Sequence, residues 1–111
     1  MTMQWGADGA YIFGGAFLSN AIPHLVSGVT GRAFQSPFAK PPGVGLSSAT
    51  VNVLWGFANL VLAYLLICQV GRFDLHAPQH AISLGAGLLA ISLLSARHFG
   101  RFHSGAEPDY P

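Results

Sequence analysis

The sequence predicts an all-α membrane protein, a bundle of about three transmembrane helices in one domain that covers the whole chain. Of its 111 residues, 51% are apolar and only 8% are charged, whereas a soluble domain carries about 25% charged residues. The apolar residues lie in three long runs without Asp, Glu, Lys or Arg, at 9–31, 41–71 and 75–96. Because about 20 helical residues cross the roughly 30 Å hydrocarbon layer, each run is long enough to span it.

The first predicted span covers 9–27 and contains three polar or helix-breaking residues, Asn20, Pro23 and His24. Proline has no N–H to donate to the preceding turn, so we expect a kink or an early end at this point. His24 is the one ionisable group well inside an apolar run, which makes it a candidate functional residue. The simpler interpretation is a histidine bonded to the backbone carbonyl that Pro23 leaves free.

The second predicted span, 49–70, is the most uniformly apolar, and the third covers 79–99. Pro78 suits the first turn of the third helix, where a missing N–H costs nothing, and Gly100 suits its end. The connection between these two spans is short, so they are expected to run antiparallel.

The connection between the first two spans, 28–48, is long and rich in glycine and proline, yet aromatic and aliphatic residues are spaced through it. A disordered linker would have few aromatic residues, so this pattern predicts an ordered loop at the membrane interface. A long connection in a small domain is often functional. A short tail, 100–111, follows the third span.

The positively charged residues predict an orientation. In a three-span protein the loop 28–48 lies on the same side as the end of the third span and the tail, and four of the five Lys and Arg residues fall there. Lys and Arg are enriched on the cytoplasmic side, so the N-terminus is predicted outside and the C-terminus in the cytoplasm. Such residues attract anionic lipid headgroups, and we expect this of Arg32, Lys40, Arg97 and Arg101.

A stripe of polar and small residues runs along the second span. Asn52, Gly56, Asn59 and Ala63 are spaced four, three and four residues apart, so they share one helix face, with Trp55 at its edge. An amide in hydrocarbon must find a hydrogen-bond partner. The stripe therefore predicts either bonding and close packing between helices, or a polar pathway or ligand pocket lined by Asn52 and Asn59.

Other chemistry is not indicated by the sequence. Asp74, His76 and His80 are metal-ligand types, but Pro78 disfavours helix just before it, so no metal site is predicted there. We find no nucleophile paired with a base and no catalytic motif. No cofactor is identified. A net charge of +1 without a nucleic-acid-binding motif argues against a nucleic-acid partner.

Three functions are compatible with these observations. The first is a non-catalytic oligomer or accessory subunit of a larger membrane assembly, whose partners are membrane lipids and other copies or subunits. The second is an oligomeric channel or transporter lined by Asn52 and Asn59. The third is a membrane enzyme or binder of a lipid-like ligand that uses His24 and Arg32, with Lys40 nearby.

Overall fold

The computed structural model describes residues 5–103 and contains three long helices, α1 (Trp5–Val29), α2 (Ala49–Cys68) and α3 (Pro78–Gly100). Each is long and apolar enough to cross a membrane, with spanning segments of 24, 20 and 23 residues. The predicted number and order of spanning-length helices are therefore confirmed. The predicted tail is described only as far as His103, and the rest of it lies outside the described residues.

The first helix differs most from its prediction. It begins before residue 9 and continues through Pro23 to Val29, so the expectation of an early end at Pro23 is wrong. A proline removes one backbone hydrogen bond, and neighbouring helices often compensate for that loss in membrane proteins. Close contact supports the last turns here, because Gly28 lies against the backbone of Val53 on α2.

α1 lies in the middle of the molecule, and both α2 and α3 pack along it while making little contact with each other. Glycines make the close approach possible. Gly14 lies against the side chain of Ile67 on α2, and Gly15 lies against the backbone of Leu84 on α3. Packing of small residues drives helix association where lipid leaves no hydrophobic driving force between helices.

The interior of the protein is small and polar, while its outer surface is apolar. The buried residues of α2 are Asn52, Gly56, Asn59 and Ala63, so the predicted stripe forms one face, and that face meets α1. Large apolar side chains such as Phe13, Leu54, Phe57, Ile82 and Leu93 are exposed. This arrangement suits a hydrocarbon solvent, in which polar groups rather than apolar ones must be buried.

The long connection contains a small antiparallel hairpin, which the sequence analysis did not predict. β1 (Phe34–Gln35) pairs with β2 (Leu46–Ser47), with Phe34 opposite Ser47 and Gln35 opposite Leu46. At the turn, Gly43 adopts a positive φ of 75°, and its N–H donates to the carbonyl of Ser36 at 2.8 Å. We call residues 34–47 the hairpin; it covers the end of the molecule where α1 and α3 finish.

The contact between α1 and α3 generates a prediction with a matched control. A Cβ atom at Gly87 would overlap the carbonyl oxygen of Ile12, so Gly87→Ala should destabilise the protein by about 1–3 kcal/mol. At Gly85, nothing lies within 4 Å of the added atom, so Gly85→Ala should be neutral or stabilise by up to about 1 kcal/mol. Reversible unfolding in mixed micelles measures both. Equal stabilities would contradict the close approach of α1 and α3.

Candidate functional site

A polar network joins α1, α2 and the hairpin around the side chain of Asn52. Its two Nδ2 hydrogens are shared among three carbonyl oxygens, those of Phe34 at 3.2 Å, Ser47 at 3.1 Å and Ser48 at 3.0 Å. Its Oδ1 lies 2.7 Å from Nδ1 of His24. Because an amide oxygen only accepts, Nδ1 of His24 carries the proton and donates it. The partner of His24 is therefore a side chain on α2, and the expected carbonyl freed by Pro23 is not needed.

A second amide pair joins α1 to α2, about one turn from His24 on α1 and about two turns from Asn52 on α2. Asn20 Nδ2 donates to Asn59 Oδ1 at 3.0 Å, and Asn59 Nδ2 donates to the carbonyl of Trp55 at 2.8 Å. Asn52 and Asn59 are each 0% exposed. The asparagine face thus bonds to α1 within one chain, as the interpretation of bonding and close packing between helices expects.

The C-terminal end of α3 holds the hairpin in place. His98 Nε2 donates to the carbonyl of Gly43 at 2.7 Å. The His103 ring stacks on the ring of Phe34 with centroids 5.1 Å apart, and its Nε2 lies 2.9 Å from Oε1 of Gln35. The rings of these two histidines therefore anchor the hairpin to the end of α3.

Beneath the hairpin lies a cavity of about 240 Å³ that all three helices help to form. Its polar lining side chains come from α1, the hairpin and α2, and Phe99 of α3 contributes an aromatic wall. The eight lining residues are Asn20, His24, Gln35, Ser36, Pro37, Gly43, Trp55 and Phe99. The candidates His24 and Trp55 are therefore brought to one site, whereas Asn52 and Asn59 support it from behind through their bonds to His24 and Asn20.

The cavity retains unused hydrogen-bonding capacity. The indole Nε1 of Trp55 is buried and has no partner among residues 5–103. His24 is 2% exposed and uses Nδ1 for Asn52, so Nε2 is its remaining polar atom. Asn20 donates to Asn59 and leaves its own Oδ1 without a bond among the described residues. Buried polar groups are normally paired, so the unpaired Trp55 N–H, beside the free polar atoms of His24 and Asn20, marks the cavity as the candidate site.

Sequence reasoning missed several cavity residues for a physical reason. Asn20 could have been found, because it lies four residues before His24 and so shares its helix face. Gln35, Ser36 and Phe99 carry no local signal, since only the docking of the hairpin and of α3 brings them beside His24.

A larger apolar groove lies between α1 and α3, with a volume of about 450 Å³. Ile22, Pro23 and Val26 of α1 line one side, and Phe99 is shared with the polar cavity. The hydroxyl groups of Ser19 and Ser92 at its wall bond to each other at 2.8 Å. The groove therefore presents mainly hydrocarbon, immediately beside a cavity that presents hydrogen-bonding groups.

The four basic residues expected to bind an anion do not form one site. Arg97 and Arg101, with Leu94 and His98, line a surface pocket at the end of α3, and an Arg101 guanidinium nitrogen donates to His98 Nδ1 at 2.8 Å. Arg32 and Lys40 are exposed in the long connection, and within the described chain their side chains make no hydrogen bond or ion pair. None of the four lines the polar cavity.

At the opposite end, the Asp74, His76 and His80 segment forms a capped turn. Asp74 Oδ1 accepts from the N–H of His76 at 2.9 Å, and the N–H of Asp74 donates to His80 Nδ1 at 2.9 Å. The His80 ring packs against Tyr11, with centroids 4.9 Å apart. Over residues 5–103, no group of three His, Cys, Asp or Glu side chains is placed to hold a metal ion.

Comparison with known proteins adds no further assignment: no family model, curated protein or solved structure significantly matches the chain.

The two asparagines of α2 should differ in importance. Asn52→Leu removes the bond to His24 and three bonds to carbonyls, and leaves buried groups unpaired, so it should cost about 2–3 kcal/mol of stability. Asn59→Leu removes one interhelical bond, and such bonds average about 0.6 kcal/mol in membranes. Unfolding in mixed micelles compares the two variants, and a larger loss for Asn59→Leu would contradict the central position of Asn52.

Proposed function

We propose that the chain is an integral membrane protein with three transmembrane spans, its N-terminus outside and its C-terminus in the cytoplasm. The apolar outer surfaces of α1, α2 and α3 support insertion. Four of the five Lys and Arg residues belong to the long connection or the end of α3, and only Arg72 belongs to the connection between α2 and α3. The positive-inside rule then gives the orientation.

Cysteine labelling tests this orientation. Cys68 is exposed, so Cys68→Ser removes the native thiol before single cysteines are introduced. In intact cells an impermeant maleimide should label Leu75→Cys, in the α2–α3 connection, and should leave Ala33→Cys, in the long connection, unlabelled. Both residues are exposed, so permeabilised cells should label both as the control. The reverse pattern in intact cells would require the opposite orientation.

We further propose that the protein is a non-catalytic binding protein whose site is the cavity beneath the hairpin. The observation that carries this proposal is the buried Trp55 N–H, which has no partner among residues 5–103 and belongs to a side chain lining that cavity. A concave site with a few convergent polar groups is the usual form of a ligand-binding site. A binding function is favoured over a catalytic one, because no carboxylate lines the cavity and its one hydroxyl, on Ser36, is bonded to Ser47.

The size and charge of the cavity limit its occupant. A volume of about 240 Å³ falls below the roughly 300–1,000 Å³ typical of pockets for drug-sized ligands. The occupant is therefore a small molecule or the head of a longer one. Its lining side chains carry no Asp, Glu, Lys or Arg, and burying an unpaired charge is costly, so the occupant is uncharged.

Native mass spectrometry of the protein, extracted from its own membranes, tests binding. The wild type should retain a small molecule, and Trp55→Phe should lose most of it because the ring remains while the N–H donor is removed. Trp5→Phe is the matched control, because it makes the same chemical change at the first residue of α1, at the end away from the cavity. This variant should leave retention unchanged. A wild type with no bound molecule under mild extraction would overturn the proposed function.

A second candidate function, an oligomer or accessory subunit, has one observation in its favour. Only 6% of the apolar stretch of α3 is buried, so most of that helix is available to another membrane protein. The same mass spectra decide this point. A defined multimer or a constant companion subunit would support assembly, and a monomer throughout would count against it.

A further inference from the structure

We infer that the cavity beneath the hairpin binds the hydroxyl head of a neutral lipid, whose hydrocarbon chain lies in the apolar groove between α1 and α3. The inference rests on the proposed binding function and adds the chemical class of the ligand. Three observations carry it: the hydrogen-bonding roles of His24 and Trp55, the cover that the hairpin provides, and the groove that shares Phe99 with the cavity.

The hydrogen-bonding roles select a hydroxyl group. Asn52 fixes the proton of His24 on Nδ1, so in the neutral ring Nε2 is an acceptor and requires a donor. Trp55 presents the opposite requirement, because its buried Nε1–H is a donor without an acceptor among the described residues. A hydroxyl oxygen donates one hydrogen bond and accepts others, so one such group serves both side chains.

Other common head groups fail one of these requirements. An ester or ketone carbonyl accepts from Trp55 but cannot donate to His24, and an ammonium group donates but cannot accept. A phosphate or carboxylate would bring a negative charge into a cavity that no Lys or Arg side chain lines. The basic residues at this end of the protein are exposed and separate from the cavity, so an anionic head would remain uncompensated there.

The position of the cavity selects a lipid over a free polyol. Ser36, Pro37 and Gly43 of the hairpin form part of its wall, and His98 and His103 of the α3 end hold the hairpin over it. The groove beside it is lined by Ile22, Pro23 and Val26, and two of its three lining serines, Ser19 and Ser92, bond to each other. A hydrocarbon chain is the occupant that this groove suits, because its apolar wall offers few free polar groups.

Trp55 provides a direct readout of occupancy. The chain has two tryptophans, so Trp5→Phe leaves Trp55 as the only one, and its emission reports on the cavity. The protein in detergent micelles is titrated with dioctanoylglycerol, with its acetylated form in which the hydroxyl is blocked, with the matching phosphatidic acid, and with glycerol. Dioctanoylglycerol should give a saturable change in emission, and each of the other three should bind at least about tenfold more weakly.

A second measurement uses the wild-type protein, because a substitution of His24 would disrupt the polar network around Asn52. Nitrogen-15 spectra of labelled histidine in the wild type resolve the state of Nε2. Binding of dioctanoylglycerol should shift the Nε2 resonance of the buried histidine toward a hydrogen-bonded position, whereas the acetylated form should leave it unchanged.

The outcomes separate this inference from the proposed function. Equal binding of the acetylated form would overturn the hydroxyl requirement, and equal binding of glycerol would overturn the lipid chain in the groove. Tighter binding of phosphatidic acid would overturn neutrality. If no probe perturbs Trp55 while native mass spectrometry still finds a bound molecule, the ligand class is wrong and the binding function stands. If nothing is retained either, both fail.

Discussion

Asn52 is buried where α1, the hairpin and the first turn of α2 meet, and its side chain bonds to all three. An amide inside an apolar environment is costly unless its polar atoms are paired, so these elements must come together for the residue to be buried at all. The same bonds determine the tautomer of His24 and hold the strand ends at Phe34 and Ser47. The position of the hairpin, the closure of the cavity and the chemistry of its histidine therefore depend on one side chain.

The contacts between helices also depend on how an apolar environment treats polar and apolar groups. Where lipid surrounds a protein, apolar side chains gain little by turning inward, and association depends on close packing and on bonds between polar groups. Gly14 and Gly15 bring α1 against both neighbours, while Asn20, His24 and Ser19 supply bonds to α2 and α3. α1 can therefore carry polar side chains within its span, because it is the helix that has a neighbour on each side.

The sequence predicts the helices well because charge-free apolar runs long enough to span a bilayer are visible without any tertiary information. The asparagine face was also visible, since Asn52 and Asn59 share a helical spacing. The hairpin was not, because two-residue strands are too short to produce an alternating pattern, and their pairing is completed by bonds from Asn52. The roles of His98 and His103 were missed because each depends on a partner more than fifty residues away in the chain. His98 bonds to Gly43, and His103 bonds to Gln35.

The distribution of charge explains how one end of a small protein can carry basic residues on its surface and still contain a neutral site. Arg32, Lys40, Arg97 and Arg101 are exposed, and none of them lines the cavity. His98 lies at the boundary, because its Nδ1 accepts from Arg101 on the outer side while its Nε2 donates to the hairpin carbonyl of Gly43. The charges of the basic residues are thereby kept apart from the neutral donors and acceptors of His24 and Trp55. A charge among those groups would have to be desolvated without a counter-ion, which is why a neutral hydroxyl matches this site and a headgroup phosphate matches the surface outside it.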